Sequence, residues 1–406
     1  MNAQPSMFNP TDPAFVRDPY PFYRALRSAA PVWKSPLGPW VLTRYDDIAR
    51  LLKDGSFVHD FAGEISDTRS RRGILEEPVF ASLGRSMLVR DPPDHTRLRG
   101  LVARAFTARR VEEMRPRIEA IVKDLLDTAI PKGKMDLIED FSHKLPVIVI
   151  CDMLGLPEED RGPFLSGYRI SGRAIDPVPM TREELDEANS NTMRGRAYFG
   201  KLFERRRAEP GDDLTSALLQ VRDEQDGRLS DDELYSNISL LFAAGHETTA
   251  NLIANGMLAL LRNRGEWERL VADPALAASA VEEILRYDSS VQLTTRKASK
   301  DVEIGGQKIA RGEEIICLLG AGNRDPQAFE EPEKLDISRK NVRPLSFGGG
   351  VHTCLGAQLA RIEAEVAFCE LAKRLPHIEL DDPENPVWKP TITLRRLERL
   401  PVHWAV

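Results

Sequence analysis

The longest regular pattern in the chain starts at Leu229-Ser230-Asp231-Asp232-Glu233. Ser230 and Glu233 have the spacing of a reciprocal capping box, and three acids fall in the first turn, where they suit the helix dipole. No proline follows until Pro274, and apolar residues run from Leu234 to Leu261. The spacing predicts a helix of more than roughly 25 residues, about 40 Å at 1.5 Å per residue. Its centre is almost wholly apolar, which predicts burial on all sides, with Gly245 and Gly256 as tolerated interruptions. More broadly, residues 111–262 read as helical, with a break at Asp176-Pro177-Val178-Pro179.

Shorter patterns flank this part. Asp18-Pro19-Tyr20-Pro21-Phe22 opens a short helix through Tyr23 to Ser28. Val32-Trp33 and Trp40-Val41-Leu42-Thr43 read as strands joined by the turn Pro36-Leu37-Gly38-Pro39. Asp46 is placed to cap a helix carrying Ile48, Leu51 and Leu52. Residues 58–86 are polar and weakly periodic, with Arg69, Arg71 and Arg72; they read as a solvated loop or a lid. The prolines of Asp91-Pro92-Pro93-Asp94 break what precedes, and Asp94 is placed to cap a helix with His95 and Arg99 four apart on one face. Beyond the long helix, Ala280–Arg286 is helical and Ser289–Arg296 extended. Val302–Ile304 and Lys308–Ile309 form a hairpin about Gly305-Gly306, and Ile315–Leu319 a buried strand. A last helical pattern runs from Gln358, with apolar residues at Leu359, Ile362, Val366, Cys369 and Leu371.

Three places in this frame carry chemistry. Cys354 follows the glycine-rich Phe347-Gly348-Gly349-Gly350 and precedes the last helix. Free N–H groups and the dipole at a helix start favour a thiolate, and glycines allow the backbone to approach something flat or charged. A thiolate held this way suits haem iron, whereas a lone cysteine there otherwise packs as a small hydrophobe. In the long helix, Ala243-Ala244-Gly245-His246-Glu247-Thr248-Thr249 interrupts the apolar run, and its Glu and two Thr need partners if buried. His246-Glu247 opens the zinc pattern HExxH, but the last position is Ala250, so the ligand pair is missing. Glu283 and Arg286 are three apart and can pair; on a surface such a pair is worth ~0–1 kcal/mol.

Composition narrows the class. At 406 residues, 42% hydrophobic and 29% charged, the chain has ample material for a globular core. A formal net charge of −7 gives no reason to expect nucleic acid or an anionic membrane as partner. No stretch approaches about 18 uncharged apolar residues, so no membrane anchor is expected. The start MNAQPSMFNPTDPAF lacks the regions of a secretory signal. Cys151, Cys317, Cys354 and Cys369 are scattered, which suits a reducing, cytoplasmic setting.

The stretch Phe347-Gly348-Gly349-Gly350-Val351-His352-Thr353-Cys354-Leu355-Gly356 resembles the haem-ligand loop of the cytochrome P450 family. DPPDHTRLR, AGHETT, EEILR, TTR and NRDP resemble the family's other parts, in the family's order, across residues 91–356. The resemblance implies a mainly α fold with a smaller β-rich region: one haem-binding domain over 1–406, β-rich near 30–60, helical over 90–290, with the ligand loop at 347–356. It implies haem b (iron protoporphyrin IX) with Cys354 as the iron ligand. Leu88, Ala244, Phe347, Gly348 and Gly356 would lie against the cofactor, and His95, Arg99, Arg296 and His352 on its propionates. Thr248 and Glu247 would deliver protons for O–O cleavage. Leu240, Ala243, Val291, Gln292 and Ile392 are expected to line a mostly apolar substrate pocket, with Gln292 as a polar anchor. Glu283 and Arg286 are expected to be structural, with contacts from Asn323-Arg324-Asp325-Pro326 or Arg343. The segment 160–206 would form a mobile helical pair over the substrate entrance.

The implied activity is insertion of one atom of O2 into an apolar small molecule by a monomeric enzyme. The chain has no flavin or iron–sulfur segment, so electrons would come from a ferredoxin-type donor with its reductase. Arg97, Arg104, Arg109 and Arg110 suggest a basic patch for an acidic redox partner. Three alternatives stand beside this: an H2O2-driven peroxygenase, a non-catalytic haem-binding or gas-sensing protein, and a haem-free structural helical protein.

Overall fold

The computed structural model describes residues 9, 12–61, 72–166, 172–176, 180–224 and 229–405. Its contacts gather into two compact units. One comprises Met1–Val58, Val122–His143 and Thr248–Val406; the other comprises His59–Ile121 and Lys144–Glu247. Among the described residues no helix is long and apolar enough to cross a membrane.

The first unit is built on a five-stranded sheet in the order Val32–Lys34, Trp40–Leu42, Glu314–Leu318, Leu293–Ala298, Phe57–Val58. The first two strands form the expected hairpin, with Gly38 at φ 112° in its turn and Thr43 just past the strand end. Trp40–Leu42 then pairs in parallel with Ile315–Cys317, 275 residues further along the sequence. Trp40, Leu42, Ile48, Ile315, Cys317 and Leu319 pack into one buried cluster. The hairpin at Gly305-Gly306 forms as read, both glycines having positive φ. Asp46 is not a cap. Arg44 takes that position without a side-chain bond, and Asp46 sits in the first turn of Tyr45–Leu51, where it still opposes the dipole.

Glu283 and Arg286, on the helix Ala277–Tyr287, form no surface pair. Both side chains are fully buried and 2.7 Å apart. The Arg286 guanidinium also donates to the carbonyls of Asn323, Pro332 and Lys334. The third charge is Arg339, 3.2 Å from Glu283. Arg324 instead bonds the Tyr287 carbonyl, and the Arg343 carbonyl accepts from the Tyr45 hydroxyl. Removing one member would strand a buried charge, at a cost of about 3–5 kcal/mol.

In the second unit, aromatic rings from three segments meet: Phe164 lies 5.0 Å from Phe242 and 5.2 Å from Tyr198. The segment read as a loop is partly helical, at Arg72–Leu75 and Pro78–Gly84. Arg69, Arg71 and the Pro177-Val178-Pro179 turn lie outside the described residues. Asp94 does not cap either. It is the first residue of the helix Asp94–Ala105, within 3.6 Å of Arg90 and of Arg97. The supposed basic patch is largely neutralised, since Arg97 pairs with Glu233 (2.5 Å), Arg109 with Glu113 (2.7 Å) and Arg110 with Asp212 (3.5 Å).

The long helix spans Asp231–Arg262, 32 residues. Its capping box is present: the Ser230 hydroxyl accepts from the Glu233 N–H at 3.1 Å, and the Glu233 carboxylate accepts from the Ser230 N–H at 2.9 Å. The boundary between the two units falls within it, after Glu247.

Candidate active site

The cysteine loop is shaped by its glycines. Gly348 and Gly350 have φ of 68° and 64°, and a Cβ on Gly350 would lie 2.2 Å from the Leu52 carbonyl oxygen. The loop closes through the Cys354 N–H, which donates to the Phe347 carbonyl at 2.8 Å. The Arg361 guanidinium covers the Phe347 ring at 4.5 Å. Cys354 is exposed, three residues before the helix Ala357–Arg374. Cys151 and Cys317 are buried, and burial pushes both thiols up to about 12. Gly356 is different from the loop glycines. Its φ is −83°, and an added Cβ would meet nothing within 4 Å. Neither the backbone nor the surrounding protein requires glycine there, so the space beside it is available to a group lying against the loop.

The middle of the long helix is not buried all round. Leu241, Phe242, His246, Thr249 and Ala250 are buried, but Leu240, Ala243, Glu247 and Thr248 are half-buried and Ala244 is exposed. These open positions are three or four apart and make one stripe along a face. Thr248 lies one turn after Ala244 on that stripe. His246 points away from it, with Nδ1 2.8 Å from the Phe242 carbonyl oxygen.

His95 is only 2% exposed, which rules out a solvated basic face for it, and Arg99, one turn on, is half-buried. Leu88 is half-buried beside Met87, whose N–H donates to the Asn237 side-chain oxygen at 3.0 Å. Arg296 is 6% exposed; its guanidinium donates to the Thr294 hydroxyl (3.0 Å) and the Thr295 carbonyl (2.7 Å). His352 is half-buried in the turn Gly350–His352.

A family profile described as "Cytochrome P450" matches residues 178–398. The polyketide biosynthesis cytochrome P450 PksS of Bacillus subtilis is 40% identical over 406 residues, covering 98% of each chain. The chain belongs to the cytochrome P450 family. Vitamin D(3) 25-hydroxylase of Pseudonocardia autotrophica is 41% identical over 394 residues, covering 96% of this chain and 94% of its own. The myxobacterial cytochrome P450 CYP267B1, crystallised with myristic acid, matches with a TM-score of 0.89 and 42% identity over 98% of each chain. The protein is thus a P450 monooxygenase with haem b as cofactor, using O2, a redox partner and a small-molecule substrate. Its donor set fits a P450 haem: one exposed sulfur ahead of a helix, beside a glycine with free space, while two other thiols are buried and held protonated and the fourth, Cys369, is half-buried within the following helix.

Of the expected substrate residues, Leu240 and Ala243 share the P450 helix stripe with Ala244. Val291 and Ile392 come from distant segments that meet: Val291 bridges Leu394, and the Gln292 N–H donates to the Thr393 carbonyl at 2.8 Å. Gln292 itself is buried. Its side chain is 2% exposed, and its amide nitrogen donates to the Ser289 carbonyl (2.7 Å) and the Tyr20 hydroxyl (3.1 Å). Its side-chain oxygen occupies the space that a Cβ on Gly320 would need and has no hydrogen-bond partner among the described residues.

Two further polar residues escaped the sequence reading. Glu363, on the cysteine helix, is 1% exposed, and one of its carboxyl oxygens has no hydrogen-bond partner among the described residues. Burial holds its carboxyl well above the usual carboxylate range. Its position four after Leu359, on the apolar stripe, was the available signal. The other is Asn255, a polar residue in the apolar half of the long helix.

Proposed function

We propose that this P450 inserts one oxygen atom into an apolar small molecule, with electrons supplied by a separate ferredoxin-type donor and its reductase. The observation that carries the reading is the one fully exposed thiol of the four, Cys354, in a glycine-shaped loop ahead of a helix. Bound haem supplies the centre at which O2 is reduced. Cys354 serves as its thiolate ligand, with Phe347 packed beside the sulfur and loop N–H groups moderating its charge. His95, Arg99, Arg296 and His352 neutralise the propionates. Leu88, Ala244, Gly348 and Gly356 offer small or apolar contacts to the ring. Glu247 takes protons from solvent and passes them to the Thr248 hydroxyl, which holds a proton where oxygen is cleaved. Leu240, Ala243, Val291 and Ile392 supply apolar wall that orients the substrate and keeps water out.

The names of relatives support an apolar substrate without choosing one, since polyketide, vitamin D and a fatty acid all appear among them. In this reading residues 1–406 act as one haem-binding domain, monomeric and cytoplasmic. The docking face for the redoxin is not the whole arginine-rich segment, because three of its four arginines are already paired.

The test uses ferredoxin, reductase and whichever fatty acid, terpenoid, steroid, aromatic acid or macrolide shifts the Soret band to high spin. Thr248→Ala is expected to cut product formed per O2 consumed by about tenfold or more, with O2 consumption continuing. Equal turnover on H2O2 alone, or a fully coupled Thr248→Ala enzyme, would contradict the reading.

A further inference from the structure

Asn255 lies seven residues after Thr248, two turns on along nearly the same helix face. It is 0% exposed in an apolar stretch. Its amide nitrogen donates to the Arg395 carbonyl at 2.9 Å, while its side-chain oxygen has no hydrogen-bond partner among the described residues. A buried amide that satisfies only its donor brings little net stability over an apolar residue of the same size. What it does bring is register, since it fixes a distant turn to the helix that carries Thr248.

That turn is held from every other side. The Arg395 N–H donates to the Ser290 carbonyl at 2.8 Å, and Val291 bridges Leu394. The Arg395 guanidinium donates to Asp288 (2.8 Å) and to the carbonyls of Val16 (3.2 Å) and Arg17 (3.1 Å), and it stacks 3.5 Å over Trp388. The Tyr20 hydroxyl donates to the same Asp288 oxygen at 2.9 Å. The segments bearing Ile392 and Val291 are therefore tied together, and the Asn255 side chain ties them to the long helix.

We propose that Asn255 is a positioning residue: its bond to the Arg395 carbonyl sets the spacing between the Thr248 face and the Ile392–Val291 wall, and so selects which ligand shapes the pocket accepts. The inference rests on the reading of Ile392 and Val291 as substrate-facing. The test needs no known substrate. Ferric, haem-loaded wild type and Asn255→Leu are titrated with imidazole, a small probe, and with econazole, a bulky azole whose binding depends on the surrounding wall in this reading. The expected result is econazole binding weakened about five- to tenfold with imidazole binding unchanged. Asn255→Ala gives the same comparison if the leucine variant takes up no haem. Econazole affinity at the wild-type level, or equal weakening of both azoles, overturns the positioning role. A wild-type protein that shows no spectral shift with imidazole overturns the haem reading beneath it as well.

Discussion

Cys354 and Cys317 carry the same side chain, and their surroundings give them opposite chemistry. One is exposed just before a helix start; the other is sealed in the sheet core, with its thiol pushed up to about 12. Gly356 makes a sharper residue-scale test, because the protein around it leaves room for a side chain. Gly356→Ala is expected to cost the haem-free fold no more than about 1 kcal/mol, the loss of a tolerated helix cap. Haem retention on dilution should fall in the same variant. Unfolding of the haem-free protein and the Soret absorbance after gel filtration measure the two effects. Unchanged haem retention would mean that nothing flat lies beside this residue. Cys354 was legible because its neighbours in sequence are also its neighbours in space. The burial of Gln292 was not legible, because the Tyr20 hydroxyl that its amide reaches lies far away in sequence.

Elements with local signals were read best. The capping box of the long helix and the paired glycines of the hairpin are both set by residues within a few positions of each other. The open stripe on that helix was not legible, since an alanine or leucine carries no mark of whether protein will cover it. On the cysteine helix, Glu363 yields a pH prediction. Its folded carboxyl ionises well above its ordinary 4.5, so the native state keeps a proton that the unfolded chain releases. The stability this contributes is complete below about pH 4.5 and is lost as pH rises through the folded value. Glu363→Gln should therefore flatten the decline in denaturant midpoint on going from acid to neutral pH. Parallel declines in wild type and variant would show that the carboxyl has a partner when folded.

At the scale of the whole molecule, the sequence order conceals the assembly. Strands near residue 40 and residue 315 pair in parallel, and each compact unit is made of separated segments. Local periodicity cannot choose such partners. The same holds for charge, since the arginines near residue 100 look like a patch until Glu233, Glu113 and Asp212 are brought to them. The central claim, however, runs through one sulfur atom and is open to one spectrum. Wild type and Cys354→Ser are loaded with haem, reduced and exposed to CO. The wild-type protein should show the long-wavelength Soret band of a thiolate-ligated haem, and the serine variant should lose it while any haem it retains absorbs at shorter wavelength. An unchanged long-wavelength band in Cys354→Ser would place the iron on another ligand and contradict the account of the site.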